Sequence, residues 1–324
     1  MKVIVTPFHI INLPERKLMN TQGDWPPLVI GDITVPTPII QGGMGVAISL
    51  AGLTAAVANE GGIGVIATPG IALNEPDMVT NFWEANLRAL RKEIRQARAK
   101  TRGLIGVNIM VALTNFEQLS RVAMEENADF IISGAGLPMN LPAYRPAGAR
   151  TKLIPIVSSG RAAAIITRRW KARFDYLPDA IVVEGPLAGG HIGFKLEQIA
   201  DPAYTLEKLT SEVLNVVRGL EQKYQQHIPV IAAGGIYTGA DIRRFLDMGV
   251  AGVQMGTRFV TTVECDAADA FKQAYIDARE SDMAIIKSPV GCPAARSGIS
   301  FSMMFSGAGR FPIRAVITAL SPAT

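Results

Sequence analysis

Short apolar runs alternate with longer amphipathic stretches along most of the chain. The apolar runs are mostly continuous rather than alternating, which is typical of strands that are buried on both faces of a sheet. Eight runs are predicted as strands, at residues 38–41, 62–67, 104–111, 129–133, 152–157, 180–183, 229–233 and 252–255. Helices are predicted at residues 49–59, 75–100, 115–126, 161–169, 206–225, 240–248 and 267–279.

This alternation predicts an α/β protein with a parallel sheet. Eight strand–helix units favour a (β/α)8 barrel, and an open doubly wound sheet is the alternative. The first strand is followed by Gly42, Gly43, Met44 and Gly45, so the GxGxxG spacing of dinucleotide-binding sheets is missing. We expect the barrel, with an N-terminal extension, in residues 1–282. Residues 283–324, rich in Ser, Gly and Pro, are interpreted as a lid or cap over its mouth.

Composition narrows the function classes. With 324 residues, 48% of them hydrophobic, the chain can bury a large core, and its net charge of +4 is scattered. The basic stretches at residues 88–102 and 168–173 have few aromatic residues between their lysines and arginines. We therefore interpret both as exposed helix surface rather than as nucleic-acid-binding sites. Binding of an anionic substrate or carrier at these basic stretches is kept as an alternative.

The cysteine and hydropathy patterns indicate the cellular compartment of the protein. Cys265 and Cys292 form no CxxC pair, and neither they nor the histidines have the spacing of metal ligands, so no metal is expected. A reduced, cytoplasmic setting is predicted. No apolar run is long enough to cross a bilayer, so no membrane partner is expected.

Ligands of such barrels bind at the carboxyl ends of the strands, where glycine is frequent in this chain. Ordinary turns explain single glycines, but pairs of glycines after the first, sixth and seventh strands favour a ligand that approaches the backbone closely. The candidate ligand-binding residues at these ends are Gly42, Gly43, Met44, Asn108, Gly134, Glu184, Gly189, Gly190, Gly234, Gly235, Gln254, Met255, Gly256 and Thr257.

The last two strand ends predict a phosphate site. Barrels often bind phosphate between the loops after strands seven and eight. Glycine N–H groups there, with the Thr257 hydroxyl, could bind phosphate oxygens without a lysine. Thr238 and Asp241 have the spacing of a capping box, so a helix is expected to start close by. A cofactor that carries phosphate is the natural ligand.

His191 is the candidate catalytic residue among three histidines. A loop histidine is more often a packing or surface residue, but its position after Gly189 and Gly190 favours chemistry, because imidazole exchanges protons near neutral pH. His227 directly precedes the seventh strand and is interpreted as structural, and His9 is assigned no role.

These motifs, in this order, resemble the FMN-dependent nitronate monooxygenase (2-nitropropane dioxygenase) family. The matching segments are PIIQGGMG, GGIGVIA, GVNIM, ISGAG, EGPLAGGHIG, PVIAAGGI and GVQMGTRFV, which run from Pro38 to Val260. The related flavin-type enoyl-acyl-carrier-protein reductases share the GGHIG, GVNIM and GTRFV stretches as closely.

The resemblance implies a TIM barrel with one non-covalent FMN. It implies the main flavin contacts at Gly42, Gly43, Met44, Asn108, Glu184, Gly189, Gly235, Gln254, Met255, Gly256 and Thr257. The FMN phosphate is implied at Gly234, Gly235, Gly256 and Thr257. His191 matches the family histidine near the flavin ring. The partners implied are an alkyl nitronate and O2, or an acyl thioester and NAD(P)H, and a homodimer is left open as the assembly.

Two positions depart from the family pattern. Many members have a glutamate where this chain has Leu187, which removes a carboxylate close to the histidine. Several nitronate monooxygenases have a lysine where this chain has Ile156, and the reductases do not. The leading hypothesis is a nitronate monooxygenase, the alternative is an enoyl-thioester reductase, and a third is a flavin-binding protein without turnover.

Overall fold

Eight parallel strands close into a barrel, which confirms the (β/α)8 prediction. The computed structural model describes residues 25–191, 193–278, 283–287 and 293–297, and of residues 191, 283–287 and 293–297 it describes the backbone. A hairpin of β1 (Leu28–Ile30) and β2 (Ile33–Val35) precedes the barrel. The barrel strands are β3 (Ile39–Gln41), β4 (Ile63–Ala67), β5 (Leu104–Met110), β6 (Phe130–Gly134), β7 (Lys152–Val157), β8 (Ile181–Glu184), β10 (Val230–Ala233) and β11 (Gly252–Met255). Sequential barrel strands are neighbours, and β11 closes the ring onto β3.

Helices follow the strands around the ring. They are α1 (Ala51–Asn59), α2 (Phe82–Lys100), α3 (Phe116–Glu125), α4 (Gly160–Phe174), α5 (Leu196–Ile199), α6 (Leu206–Tyr224), α7 (Gly239–Asp247), α8 (Thr257–Val260) and α9 (Asp269–Asp277). Between β6 and β7 a 3₁₀ turn at Leu141–Tyr144 replaces a full helix.

Two helix boundaries were predicted wrongly, and the first is the end of α4, which extends to Phe174 rather than to residue 169. Helix α2 begins at Phe82 rather than at residue 75. The Glu75 and Asp77 side chains instead form ion pairs with Arg88 of α2, so the segment before the helix folds back against it. This loop follows β4 and therefore lies on the same side of the barrel as the predicted site.

The β1–β2 hairpin closes the amino-terminal end of the barrel. Leu28, Ile30 and Val35 are fully buried in one cluster with the inward-facing residues of the barrel strands. Gly31, at the hairpin turn, lies against the Lys152 side chain at the start of β7. The barrel interior is therefore a packed core, and the opposite, carboxyl end is left for ligands.

A second, three-stranded antiparallel sheet involves the loop that follows β8. It contains β9 (Gly190–His191), β12 (Met283–Lys287) and β13 (Pro293–Ser297), with β13 between the other two. Ala294 is aligned with His191, and Ala295 with Gly190. The sequence did not predict this pairing. The interpretation of residues 283–324 as a lid remains a prediction, and most of that segment lies outside the described residues.

The basic face of α2 is engaged by carboxylates. Arg91 pairs with Glu125 and Glu126, and Arg95 pairs with Glu126 as well. Because these ion pairs join α2 to the end of α3, the interpretation as helical surface is supported for the basic stretch at residues 88–102. Across the part of the chain that the structure describes, no helix has the length and hydropathy to cross a bilayer.

Helix α1 is capped by distant side chains. Its N-cap residue, Leu50, offers no side-chain acceptor. The Asp266 carboxylate, from the segment after α8, accepts hydrogen bonds from the backbone N–H groups of Leu50 (2.8 Å), Gly52 (3.0 Å) and Leu53 (3.0 Å). Glu93 of α2 accepts from the Ala51 N–H at 2.9 Å. These contacts hold the start of α1, and with it the glycine loop after β3, against the last strand's loop.

We expect Asp266→Ala to lower the free energy of unfolding by about 1–2 kcal/mol, because three N–H groups of the first turn lose their acceptor. Asp266→Asn, which keeps one acceptor oxygen, should lose less. Asp247→Ala, which removes an exposed carboxylate at the end of α7, serves as the matched control and should stay within about 0.5 kcal/mol of the parent. Urea unfolding followed by circular dichroism measures all three, and equal stability of Asp266→Ala and the parent would contradict the capping role.

Candidate active site

The register of the barrel brings the predicted site residues to one rim. Glu184, the last residue of β8, is aligned with Ala233 of β10, and Ala233 is aligned in turn with Gln254 of β11. On the other side of β11, Met255 is aligned with Gln41 of β3. The strand ends that carry the candidates are therefore neighbours around the carboxyl end of the barrel.

The loop after β3 lies against the end of β11. The Gly42 N–H donates to the Met255 carbonyl at 2.8 Å, and a Cβ at Gly42 would lie 3.4 Å from the Gln254 side chain. The Met44 sulfur lies 3.6 Å from the position that a Cβ on Gly256 would take. The structure thus brings these five candidates into one group.

Gly43 approaches Asn108 too closely for any side chain. A Cβ at Gly43 would lie 2.3 Å from the Cβ of Asn108. The Asn108 carbonyl accepts from the N–H and the hydroxyl of Thr68, each at 3.0 Å. Its side-chain amide has no hydrogen-bond partner among the described residues, so this amide is available to a ligand.

The ends of β10 and β11 present unpaired backbone donors. Gly234 and Gly235 have φ values of 95° and 78°, in the left-handed region that favours glycine. Within the described ranges no acceptor bonds the N–H groups of Gly234, Gly235, Gly256 or Thr257. Since Ala233 and Gln254 are aligned, these four donors follow neighbouring strand ends. We define them as the phosphate cradle, because clustered backbone N–H groups suit a phosphate.

Gln254 provides an unpaired acceptor beside the cradle. Its side chain is 8% exposed, and its Oε1 atom is buried without a hydrogen-bond partner among the described residues. A buried acceptor left unpaired costs about 1–3 kcal/mol. A ligand that offers an N–H group at this point would remove that cost, so the group fits a planar heterocycle with N–H donors at its edge.

Glu184 adds a titratable group at the same rim. Burial raises the pKa of its carboxyl from the usual 4.5 to about 7. No ion pair or hydrogen bond to this carboxyl occurs among the described residues. Glu184 therefore changes its protonation state near neutral pH, which is the property that acid–base chemistry or cofactor tuning requires.

Gly134 lies apart from this group, at the end of β6. A Cβ there would lie 3.0 Å from the Cβ of Ile156 in the neighbouring strand β7. Ile156, one of the two positions that depart from the family pattern, thus presents an apolar surface next to Gly134.

The loop after β8 carries Gly189, Gly190 and Leu187. Neither Gly189 nor Gly190 has an atom of the described residues within 4 Å of where a Cβ would be, so packing within these residues does not require glycine at either position. Gly190 has a φ of 75°, which favours glycine. Leu187 is 72% exposed, and its side chain lies 3.0 Å from a Cβ placed on Gly235. Leu187, the other position that departs from the family pattern, therefore lies beside the phosphate cradle.

Two features of the site were missed in the sequence. Gln41 is fully buried, its Oε1 accepts from the Val65 N–H at 2.9 Å, and its Nε2 donates to the Gly42 carbonyl. A polar residue at the end of an apolar run was the available signal. The second feature is a contact between Arg258 and Tyr237, whose ring centroid lies 4.6 Å from the guanidinium carbon. No sequence spacing indicates that contact.

Curated relatives share most of the chain. A protein of Mycobacterium tuberculosis named (3aS,4S,5R,7aS)-5-hydroxy-7a-methyl-1-oxo-octahydro-1H-indene-4-carboxyl-CoA dehydrogenase is 31% identical over 76% of this chain. A probable nitronate monooxygenase of Staphylococcus aureus is 28% identical over 79% of this chain and 74% of its own length. The match spans 59% of the length of the M. tuberculosis protein and 62% of that of its Rhodococcus jostii counterpart.

Solved structures of related proteins are also similar to this chain. FabK from Thermotoga maritima has a TM-score of 0.62 and 31% identity, over 81% of this chain and 71% of its own. A nitroalkane oxidase from Streptomyces ansochromogenes has a TM-score of 0.63 over 89% of this chain and 84% of its own, and at 22% identity it supports the fold.

The family model described as nitronate monooxygenase matches residues 27–303, which include the whole barrel and every candidate residue. With the shared barrel and the relatives above, this match identifies the chain as a member of the nitronate monooxygenase family.

Proposed function

We propose that the protein is an FMN-dependent oxidoreductase that oxidises alkyl nitronates with O2 to a carbonyl compound and nitrite. The family match over residues 27–303 carries this proposal. The S. aureus relative named probable nitronate monooxygenase, matched over 79% of this chain, supports it.

The unpaired groups at the rim fit FMN in two places. The phosphate cradle offers four backbone N–H groups for the phosphate, at neighbouring strand ends. Gln254 Oε1 offers a buried acceptor for an N–H of the isoalloxazine ring, and the free amide of Asn108 offers a donor or an acceptor. Gly43, which has no side chain, lets the loop after β3 lie against Asn108. When bound, FMN would supply the electron transfer that no protein side chain provides.

Proton handling is assigned to the chain's own residues. His191 follows Gly190 directly, on the strand that pairs with β13, and we propose that it binds the anionic substrate or exchanges its proton. Glu184, whose pKa lies near 7, is proposed to contact the flavin from the end of β8. As a neutral acid it can donate a hydrogen bond to the flavin or accept one, and as a carboxylate only accept.

The second candidate is an enoyl-thioester reductase that uses NAD(P)H. Two relatives, 31% and 29% identical, are named as dehydrogenases of a carboxyl-CoA compound, which is a thioester. Ile156, at a position where several nitronate monooxygenases have a lysine, favours the same candidate. A flavin-binding protein without turnover is the third hypothesis.

Anaerobic mixing of the FMN-loaded protein with one reductant at a time separates these candidates. We expect propyl-2-nitronate to bleach the flavin absorbance within seconds of mixing, because a nitronate oxidase takes electrons from that anion. Rapid bleaching by NADH or NADPH and none by the nitronate would support the thioester reductase instead. Bleaching by neither favours the hypothesis without turnover, and a protein that binds no FMN contradicts the shared core of all three.

His191→Ala should keep its FMN and lose about a hundredfold or more in kcat, a typical contribution of acid–base catalysis. His227→Ala is the matched control, because His227 is 73% exposed and contacts Glu221. Steady-state turnover with the substrate identified by the mixing experiment measures both variants. Activity of His191→Ala within twofold of the parent would remove the histidine from the mechanism.

Glu184→Gln should make the flavin-free protein more stable than the parent at pH 8 and no more stable at pH 4. The folded carboxyl binds its proton more tightly than the unfolded one, since burial raises its pKa from 4.5 to about 7. The stability that it contributes is therefore fully present below about pH 4.5 and is lost as the pH rises through 7.

Thermal melting over pH 4–8.5 measures this difference, which we expect to reach a few degrees. The exposed Glu197→Gln variant should follow the parent at every pH. A Tm difference between Glu184→Gln and the parent that does not vary with pH would contradict the raised pKa.

A further inference from the structure

The phosphate cradle offers partial charges, and the phosphate of FMN carries about 1.5 to 2 negative charges near neutral pH. The segments that form the cradle, residues 234–238 and residues 256–258 at the start of α8, contain one basic residue, Arg258, which directly follows Thr257. Arg258 is half-buried, and no carboxylate of the described residues pairs with it. By contrast, Arg88, Arg91 and Arg95 on α2 all form ion pairs.

The ring of Tyr237 holds the Arg258 side chain in place. The guanidinium carbon lies over the Tyr237 ring at 4.6 Å from its centroid, within the range of a cation–π contact. Tyr237 lies two residues after Gly235 and Arg258 two residues after Gly256, so the contact joins the loops that follow two neighbouring strands. The arginine is therefore positioned before a ligand arrives.

Asp241, the acidic residue close to Tyr237 in the sequence, already has other partners. Asp241 accepts from the backbone N–H of Tyr237 at 3.2 Å and from that of Thr238 at 2.9 Å, and it pairs with Arg244 at 3.2 Å. These bonds fix the loop that carries the tyrosine ring. They also leave Asp241 committed to partners other than Arg258.

We propose that Arg258, held by Tyr237, is the cation of the phosphate site and makes the protein select FMN over riboflavin, which lacks the phosphate. The inference rests on the proposed flavin function and adds to it a residue outside the candidates predicted from the sequence. Guanidinium groups form strong charge-assisted hydrogen bonds to phosphate, and a side chain that is already stacked loses less freedom when it does so.

The test is an equilibrium titration of the full chain, stripped of flavin, with FMN and with riboflavin, followed by flavin fluorescence. Arg258→Gln should weaken FMN binding by about 10- to 100-fold, as expected for the loss of a charge-assisted hydrogen bond, and leave riboflavin binding unchanged. Arg258→Lys should recover part of the loss, since it keeps the charge without the planar stacking. Tyr237→Leu should weaken FMN binding more than riboflavin binding.

Arg243→Gln is the matched control, because it removes the same charge from the exposed face of α7, where Arg243 pairs with Asp247. It should leave both affinities unchanged. Equal affinities of the parent and Arg258→Gln for FMN would overturn the inference, as would an equal loss for FMN and riboflavin. A parent protein that binds neither flavin would instead contradict the proposed function.

Discussion

The pairing of β11 with β3 is the constraint on which the site depends. It aligns Met255 with Gln41 across more than two hundred residues of sequence, and the Gly42 N–H extends it by bonding the Met255 carbonyl. Because this pairing closes the ring, the glycine loop after the first barrel strand meets the strand ends that carry Gln254 and Thr257. An open sheet would leave these segments at opposite edges. The isoalloxazine and phosphate ends of one flavin could then not be bound at the same site.

The rim of the barrel combines groups that a protein core does not normally leave unpaired. Gln254 Oε1 has no partner among the described residues, and burial raises the pKa of Glu184 to about 7. Each is unfavourable in the free protein, and a ligand that supplies the missing partner binds the folded state selectively and stabilises it. The hairpin β1–β2 makes this arrangement possible by closing the other end of the barrel with Leu28, Ile30 and Val35, so that the interior does not depend on a ligand.

The barrel strands could be predicted from sequence because each is a continuous apolar run, and every predicted strand agrees with the structure to within one residue at either end. The β1–β2 hairpin was missed although two short apolar runs flank Gly31 and Asp32, a known turn signal. Other features had no local signal: Asp266 caps a helix more than two hundred residues away, β13 pairs with the segment of His191, and Arg258 meets Tyr237 from another loop. Such contacts join segments that lie far apart in the sequence.

A crystal structure of the protein with its flavin bound tests the central claim most directly. We expect the phosphate group within hydrogen-bonding distance of the backbone nitrogens of Gly235 and Thr257, with an N–H of the isoalloxazine ring at Gln254 Oε1. A phosphate bound at another part of the rim, with the four N–H groups of the cradle in contact with water, would contradict it.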